Sequence, residues 1–198
     1  IGARIPIQDP SGNMVVNLGG GLTEVAVISL DGIVNFKVSK VAGQTLDKDI
    51  IKFAREEFNL VLGEMVAEDI KKMIGSATPL KDPLEMQMRG RDVISGLPRE
   101  VIANNTQIQN AIFRSVQHIL DVIKSTLETT PPELVADIYQ KGIILTGGTA
   151  KLKGLDKFIA SGIQIPVHVA DDSETCAIRG MGVILDDEFL LKDLAIPS

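Results

Sequence analysis

The stretch NMVVNLGGGLTEVAVISLDG, residues 13–32, places three consecutive glycines between two runs of strand-forming residues. The apolar and β-branched residues on either side predict short strands, and Asp31-Gly32 is a typical hairpin signal that leads into another strand. The three predicted strands cover residues 14–18, 24–30 and 33–41. Their order predicts an antiparallel meander, and the glycines allow either a tight turn or the close approach of a ligand to the backbone.

After residue 41, the spacing of apolar residues predicts helices that alternate with further strands. The clearest helix covers 106–129, where apolar residues recur every three or four positions. Thr106 is its predicted N-cap, and Pro131-Pro132 end it. The other predicted elements are helices at 45–59, 65–74, 151–160 and 173–184 and strands at 142–145 and 165–169. This βββαβαβα order predicts an α/β fold, a mixed sheet with helices on both faces.

Residues 59–103 interrupt this order with a less regular pattern. A charge-rich helix is followed by an alternating stretch with three prolines, which predicts short strands and loops. We therefore expect a small inserted subdomain over 59–103. It would separate two parts of one lobe, residues 1–58 and 104–198.

The composition excludes several classes of function. The chain has 198 residues and a net charge of −6, and an acidic chain without a basic patch is not expected to bind nucleic acid. No apolar run approaches the roughly 18 residues of a membrane span. Cys176 is the single cysteine, expected to be a small buried residue, so a reducing compartment is favoured. His118 and His168 are interpreted as core or surface residues rather than metal ligands.

Two glycine clusters occupy equivalent places, NLGGGLTE at 17–24 and ILTGGTAKLKG at 144–154. Each follows a predicted strand, and the second also begins a predicted helix, whose free N–H groups and positive end favour an anion. Glycine in such loops permits φ > 0 and lets the backbone approach a phosphate. Neither loop has the P-loop or the GxGxxG pattern, so a plain turn and a nucleotide site both stay open.

Five blocks of sequence carry a more specific pattern. In chain order they are MVVNLGGGLTEVAVISLDGIV, EDIKKMIGSATPL, MRGRDVISGLPREV, TPPELVADIYQKGIILTGG and IPVHVADDSETCAIRGMG. Together they resemble the second half of MreB, the bacterial actin homologue, over nearly the whole chain. The resemblance implies an actin-like, ribonuclease-H-like lobe that binds ATP and Mg²⁺ in a cleft against a first lobe. The chain starts without an initiator Met, and we expect that this first lobe precedes it.

The resemblance also implies which residues bind the nucleotide. Gly19, Gly20 and Gly21, followed by Thr23 and Glu24, resemble the second phosphate loop, which wraps the β- and γ-phosphates. The residues that resemble the nucleoside-flanking helix are Glu68, Lys71 and Lys72. The residues that resemble the adenosine loop are Gly147, Gly148, Thr149 and Ala150. Without the resemblance, EDIKK would be interpreted as a solvated helix face with charge pairs three and four residues apart.

The chain departs from the family pattern at a few positions. Asn17 stands where the family usually has an Asp that helps to hold the water shell of Mg²⁺, so we expect Asn17 to be a weak, water-mediated metal ligand. Leu22, Gln44 and Thr149 replace Thr, Asp and Gly. The first phosphate loop and the glutamate that positions the attacking water belong to the first lobe, so this chain alone is expected to be inactive as an ATPase.

The family's cellular role is implied as well. Its filaments form head to tail at the inner face of the cytoplasmic membrane, where membrane proteins of cell shape and wall synthesis are partners. Two alternatives stay open: a sugar or acetate kinase or chaperone ATPase of the same superfamily, and a degenerate structural lobe without nucleotide. The apolar tail residues Phe189, Leu190, Leu191 and Leu194 predict an exposed patch and self-association.

Overall fold

A computed structural model of the chain describes residues 1–187. The strands are β1 (Asn13–Leu18), β2 (Thr23–Ser29), β3 (Gly32–Ser39), β4 (Leu60–Val61), β5 (Glu85–Asp92), β6 (Pro98–Asn104), β7 (Ile143–Thr146) and β8 (Val167–Val169). The helices are α1 (Gly43–Phe58), α2 (Glu64–Ile74), α3 (Asn105–Glu128), α4 (Pro132–Lys141), α5 (Leu155–Ile163) and α6 (Cys176–Asp186). Short 3₁₀ helices at Gly148–Lys151 and Ser173–Thr175 lie ahead of α5 and α6.

Five strands form the main sheet, in the order β3-β2-β1-β7-β8. The first three in sequence are antiparallel, whereas β7 is parallel to both β1 and β8. This arrangement confirms the predicted meander and the mixed sheet. Asn17 at the end of β1 lies opposite Thr146 at the end of β7. The loops that follow these two strands therefore leave the sheet at the same edge.

One face of the main sheet is buried under α1 and α3. Met14, Val16 and Leu18 alternate with more exposed residues along β1, as the two-residue period of a strand requires. They share a core with Leu46 of α1 and with the apolar stripe of α3 that begins at Ile108. This stripe confirms the helix predicted from apolar spacing. Its burial explains why the long helix forms, because helical stability in proteins comes mainly from packing an apolar face.

The ends of α3 differ from the prediction. Asn104, not Thr106, is the N-cap: its Oδ1 accepts a hydrogen bond from the backbone N–H of Gln107, and Gln107 Oε1 accepts one from Asn104 N–H, at 2.9 and 3.0 Å. This capping box satisfies the N–H of the N-cap residue and one N–H of the first turn. Pro131-Pro132 do follow the helix, but Pro132 also begins α4, a helix that the apolar spacing does not predict. Proline suits the first helical position because its missing N–H is not needed there.

The inserted segment forms a second sheet, β4-β5-β6, with α2 packed against it. β5 and β6 form a hairpin in the region where short strands are predicted. Leu60, Ile70 and Met88 belong to the same buried cluster as the residues of the main sheet. The insertion and the main sheet therefore share one core, and the boundaries at 58/59 and 103/104 stay a prediction.

The last strand, β8, begins at Val167 rather than at 165, and two C-terminal helices also begin later than predicted. The helix expected at 151–160 is a 3₁₀ helix followed by α5, because Gly154 adopts a left-handed conformation with φ 71° ahead of Leu155. Likewise Ser173–Thr175 is 3₁₀, and α6 begins only at Cys176, which is buried as expected. Within the described residues no helix is long and apolar enough to cross a membrane. The predicted apolar tail from Phe189 to Leu194 lies outside the described residues.

Candidate functional site

The two glycine clusters lie side by side, as the parallel pairing of β1 and β7 requires. The hydroxyl of Thr149 donates to the carbonyl oxygen of Gly19 at 2.9 Å, across 130 residues of sequence. The first two N–H groups of α1 also reach this loop: Gly43 N–H donates to Gly19 O at 3.1 Å and Gln44 N–H to Gly20 O at 2.8 Å. The two loops and the start of α1 thus form one hydrogen-bonded unit.

A cavity of about 500 Å³ opens between this unit and α2. The predicted site residues that line it are Gly20, Glu68, Lys71, Lys72, Gly148 and Thr149. Residues that line it without having been predicted as site residues are Gly43, Gln44, Asp47, Lys151, Leu152 and Glu174. The remaining predicted residues, Asn17, Gly19, Gly21, Thr23, Gly147 and Ala150, are not part of its lining. The structure therefore brings together residues from each of the three predicted groups.

The backbone angles of the clustered glycines differ from what the sequence suggested. Among the paired and tripled glycines at 19–21 and 147–148, only Gly147 has a positive φ, 85°, and a Cβ there would lie 2.3 Å from the carbonyl oxygen of Leu18. A Cβ on Gly20 or Gly148 would have no atom closer than 3.9 or 3.8 Å. The expectation of φ > 0 is wrong for these two positions. Their missing side chains leave open space, whereas Gly147 allows the tight backbone approach.

Gly43 is a further small residue that the site requires. A Cβ at this position would lie 2.6 Å from the Thr149 hydroxyl oxygen and 3.2 Å from Gly19 O. The first turn of α1 can approach the two loops only because no side chain stands between them. Gly43 follows the strand meander in the turn VAGQ, and this turn was the sequence signal that could have identified it.

Thr23 has a structural contact in place of the predicted phosphate contact. Its side chain is fully buried, and its hydroxyl donates to Val41 O at 2.8 Å. This bond joins the start of β2 to the turn that leads into α1. Thr23 therefore stabilises the start of β2 against the turn before α1, and it does not line the cavity.

Lys71 on α2 is held by α1. Its Nζ lies 2.8 and 2.9 Å from the two carboxylate oxygens of Asp47 and donates to Gly43 O at 3.0 Å. Both side chains of the ion pair are only 12% exposed. Desolvation by burial raises the pKa of Asp47, and the hydrogen bond from Lys71 opposes this shift. Lys71 lines the cavity, and its ammonium group is already paired with Asp47. It therefore holds α2 against α1 and also adds a positive charge to the cavity wall.

Glu68 and Lys72 form an exposed pair one helical turn apart, with 2.8 Å between Glu68 Oε1 and Lys72 Nζ. The hydrogen bond between them lowers the pKa of Glu68 and raises the pKa of Lys72. The i,i+4 charge pair of the plain interpretation thus exists, on the side of α2 that lines the cavity. At the end of α2, Lys153 Nζ donates to the carbonyls of Lys72 and Met73 at 2.7 and 2.8 Å. These last-turn carbonyls lack helical partners, so Lys153 fixes the helix to the loop after Gly148.

Asn17 lies on the other face of the sheet, at its edge, in a polar group with Glu24 and Thr146. Its Nδ2 donates to Glu24 Oε2 at 2.9 Å, and its Oδ1 accepts from the Thr146 hydroxyl at 3.2 Å. A Mg²⁺ ion is bound in proteins through one or two carboxylates, with waters and phosphate oxygens completing the shell. Glu24 provides one carboxylate and Asn17 one amide oxygen, so the group fits a water-mediated magnesium site. Within residues 1–187, no cluster of three or more His, Cys, Asp or Glu side chains offers a direct one.

The two 3₁₀ helices also contribute side chains to the cavity wall. Gly147 N–H donates to Ser173 O at 2.7 Å, which joins their backbones. Lys151 Nζ lies 3.0 Å from Glu174 Oε1. Both side chains line the cavity and are more than half exposed.

A protein-family model described as MreB/Mbl protein matches residues 1–193 of the chain. The chain belongs to the MreB/Mbl family. The cell shape-determining protein Mbl of Bacillus subtilis is 44% identical over 187 residues, and the cell shape-determining protein MreB of Escherichia coli K12 is 41% identical over 186 residues. These matches cover 94% of this chain but only 56% and 54% of the relatives. The chain thus spans about half the length of the curated relatives that it matches.

Solved MreB structures have the same fold. MreB5 of Spiroplasma citri bound to ADP matches with a TM-score of 0.91 at 39% identity, over 97% of this chain and 57% of that chain. The structure of that MreB5 bound to AMPPNP matches with the same values. A MamK double helical filament matches with a TM-score of 0.75 at 20% identity, over 88% of this chain and 54% of that chain, which is a likeness of fold. The predicted actin-like fold of this MreB/Mbl chain is confirmed.

Proposed function

We propose that this chain is the ATP-binding lobe of an MreB-type cytoskeletal protein whose filaments determine rod shape and organise wall synthesis. The observation that carries the proposal is the cavity between the joined glycine loops and α2, which is lined by Gly20, Gly148 and the charged face of α2. Its volume of about 500 Å³ is in the range of small-ligand sites. Nucleotide-bound MreB5 of Spiroplasma citri supports a nucleotide as the ligand.

In this proposal each wall of the cavity has a separate task. The phosphates lie against Gly20 and its neighbours Gly19 and Gly21, and the missing side chains of Gly20 and Gly21 leave room for them. The nucleoside lies between the Glu68–Lys72 face of α2 and the loop at Gly148 and Thr149. The Lys71–Asp47 pair keeps α2 at a fixed distance from the glycine loop and so maintains the width of the cavity.

The metal belongs to the proposal as well. Glu24 and Asn17 would hold Mg²⁺ through water, with Asn17 oriented by its bonds to Glu24 and Thr146. When bound, Mg²⁺ neutralises charge on the phosphates. Because Asn17 donates to Glu24, it fixes the carboxylate that carries the negative charge of this group. Asn17 therefore acts mainly through Glu24.

The cellular part of the proposal concerns the whole protein. It comprises head-to-tail self-association, a first lobe that covers the cleft, and membrane proteins of cell shape and wall synthesis as partners at the inner face of the cell membrane. The cell shape-determining names of the Bacillus subtilis and Escherichia coli relatives support it. Nucleic acid is not among the proposed partners, because the chain carries a net charge of −6.

A titration of the 198-residue chain with a fluorescent ATP analogue, with and without Mg²⁺, tests the proposal. We expect weak, saturable binding, because contacts from a second lobe worth about 3–4 kcal/mol correspond to roughly 10²–10³ in Kd. Phosphate release should match the buffer blank, since in-line attack needs groups on both sides of the γ-phosphate. Adding a separately expressed first lobe of a relative should restore turnover.

Two outcomes would contradict the proposal. No binding at millimolar ATP would favour the structural lobe without nucleotide, for which the structural use of the Thr23 hydroxyl is the supporting observation. Metal-dependent hydrolysis by this chain alone, provided that a Gly20→Val control lacks it, would favour a kinase-like enzyme.

The magnesium site makes a separate prediction for Asn17→Asp. A charge-assisted hydrogen bond contributes about 1.5–3 kcal/mol against about 1 for a neutral one, so the variant should bind Mg·ATP roughly tenfold more tightly at pH 7. In EDTA its affinity for ATP should hardly change. The free variant should melt at a lower temperature, because the new carboxylate would face Glu24 and opposed like charges on a sheet cost about 0.2–1 kcal/mol. Calorimetric titration in both buffers measures the effect, and equal gains with and without metal would refute it.

A further inference from the structure

Glu174 lines the cavity from the 3₁₀ helix ahead of α6. Its Oε1 is 3.0 Å from Nζ of Lys151, at the end of the 3₁₀ helix that begins at Gly148. Its Cγ is the nearest atom, at 3.8 Å, to the position of a Cβ on Gly148. The Glu174 carboxylate therefore pairs with a lysine of the cavity wall and borders the open space at Gly148.

The backbone next to Glu174 is held by a hydrogen bond, whereas the Glu174 side chain is exposed to solvent. Gly147 N–H donates to Ser173 O at 2.7 Å, and Ser173 is 1% exposed. The Glu174 side chain is 57% exposed and the Lys151 side chain 54%. Because the lysine is paired with one oxygen of the carboxylate, the other oxygen can accept a hydrogen bond from a ligand without displacing that lysine.

The charges along the cavity indicate which end of a nucleotide would reach Glu174. Gly20 of the first glycine cluster lines the cavity together with Gly43 and Gln44, and glycine loops suit phosphates. Of the carboxylates in the lining, Asp47 is buried in the wall and paired with Lys71. Glu68 and Glu174 are the exposed carboxylates of the lining. Two such carboxylates disfavour phosphate, so the base is the part of the ligand that faces them.

We propose that Glu174 is a specificity-determining residue that accepts a hydrogen bond from the exocyclic amino group of adenine. This inference rests on the proposed ATP site and adds the choice of base to it. An ionised carboxylate can only accept hydrogen bonds, and adenine presents an amino donor where guanine presents a carbonyl oxygen. A guanine or hypoxanthine oxygen at this place would face the carboxylate without a proton between them. Lys151 holds the carboxylate in place by pairing with its other oxygen.

Competition titrations of the 198-residue chain with ATP, GTP and inosine triphosphate test the assignment. Inosine triphosphate differs from ATP at the six-position, where an oxygen replaces the amino group. We expect the wild-type chain to prefer ATP over both by about tenfold, the low end for a charged hydrogen bond at an exposed site. Glu174→Gln should reduce this preference to about twofold, because a rotated amide can donate to the oxygen. Lys151→Met should still prefer ATP over GTP and inosine triphosphate, because it keeps the Glu174 carboxylate.

Glu56→Gln is the matched control, since Glu56 forms an exposed ion pair with Lys52 on α1 and does not line the cavity. It should leave all three affinities unchanged. Equal wild-type affinity for ATP and inosine triphosphate, or an unchanged preference in Glu174→Gln, would overturn this proposal alone. Absence of binding of any of the three nucleotides to the wild-type chain would overturn the proposed function and this inference with it. Melting temperatures of the variants confirm that each one is folded.

Discussion

Replacing Gly20 or Gly148 with valine is expected to weaken nucleotide binding by at least about 100-fold while the chain still unfolds cooperatively near the wild-type temperature. The first Cβ would meet no atom closer than 3.9 Å at Gly20 and 3.8 Å at Gly148, and neither residue has a positive φ. The folded chain can therefore accept both side chains, and a glycine replacement at a compatible position changes stability by only about 1 kcal/mol. The valine would instead fill the space that the proposed phosphates and base occupy. Fluorescence titration and thermal melting measure the two effects separately.

Gly147→Val is the control: unlike Gly20→Val and Gly148→Val, it should destabilise the fold itself. Its φ of 85° is strained for valine, and its Cβ would lie 2.3 Å from Leu18 O. Backbone strain costs about 1–3 kcal/mol, and overpacking adds a similar amount. We expect a large loss of stability for this variant. Unchanged ATP binding by both Gly20→Val and Gly148→Val would show that the site has been placed wrongly.

Lys71→Met is expected to reduce the free energy of unfolding by about 3–5 kcal/mol, because it leaves the buried carboxylate of Asp47 without its cation. The two side chains are 12% exposed, and Lys71 also loses its bond to Gly43 O. The neighbouring Lys72→Met is the control. Lys72 is 63% exposed and pairs with Glu68 at the surface, so its loss should hardly change the free energy of unfolding. Urea denaturation at pH 7 gives both values, and equal losses would contradict the structural role of Lys71.

The pH dependence of Lys71→Met follows from Asp47. Burial already raises the pKa of this carboxyl in the folded chain, and removing the Lys71 hydrogen bond removes a contribution that lowers it. A folded-state pKa above the unfolded value means that the folded state binds the proton more tightly. The contribution of this group to stability is therefore greatest below the ordinary Asp pKa near 3.8 and falls as the pH rises through the raised folded pKa. The loss of free energy of unfolding caused by Lys71→Met should therefore be smaller at pH 5 than at pH 7. The double variant Lys71→Met/Asp47→Asn has no buried charge at this position, so its loss at pH 7 should be smaller than that of Lys71→Met alone.

Much of the fold could be predicted because its signals are local. The apolar, β-branched runs in 14–18 and 24–30 predict strands, and the 3.6-residue stripe that begins at Ile108 is the direct pattern of a helix buried on one side. The errors lie where two local signals compete. Pro132 predicts the end of one helix, yet it also begins another, and Gly154 delays α5 although the residues before it suit a helix. Both are boundary effects, which depend on a single residue's backbone angles.

Some features of the candidate site could be predicted from local sequence, and others depend on tertiary packing. The sequence by itself determined the strands, the long helix and the two glycine clusters, since each depends on residues within a few positions of one another. Only the tertiary structure decided that Thr149 bonds to Gly19, 130 residues away, that Asp47 holds Lys71 and that Glu174 meets Lys151. The physical reason is that a hydrogen bond or ion pair requires its two atoms within about 3 Å, and that distance is set by the packing of the sheet and helices between them. No periodicity or spacing in the chain encodes it.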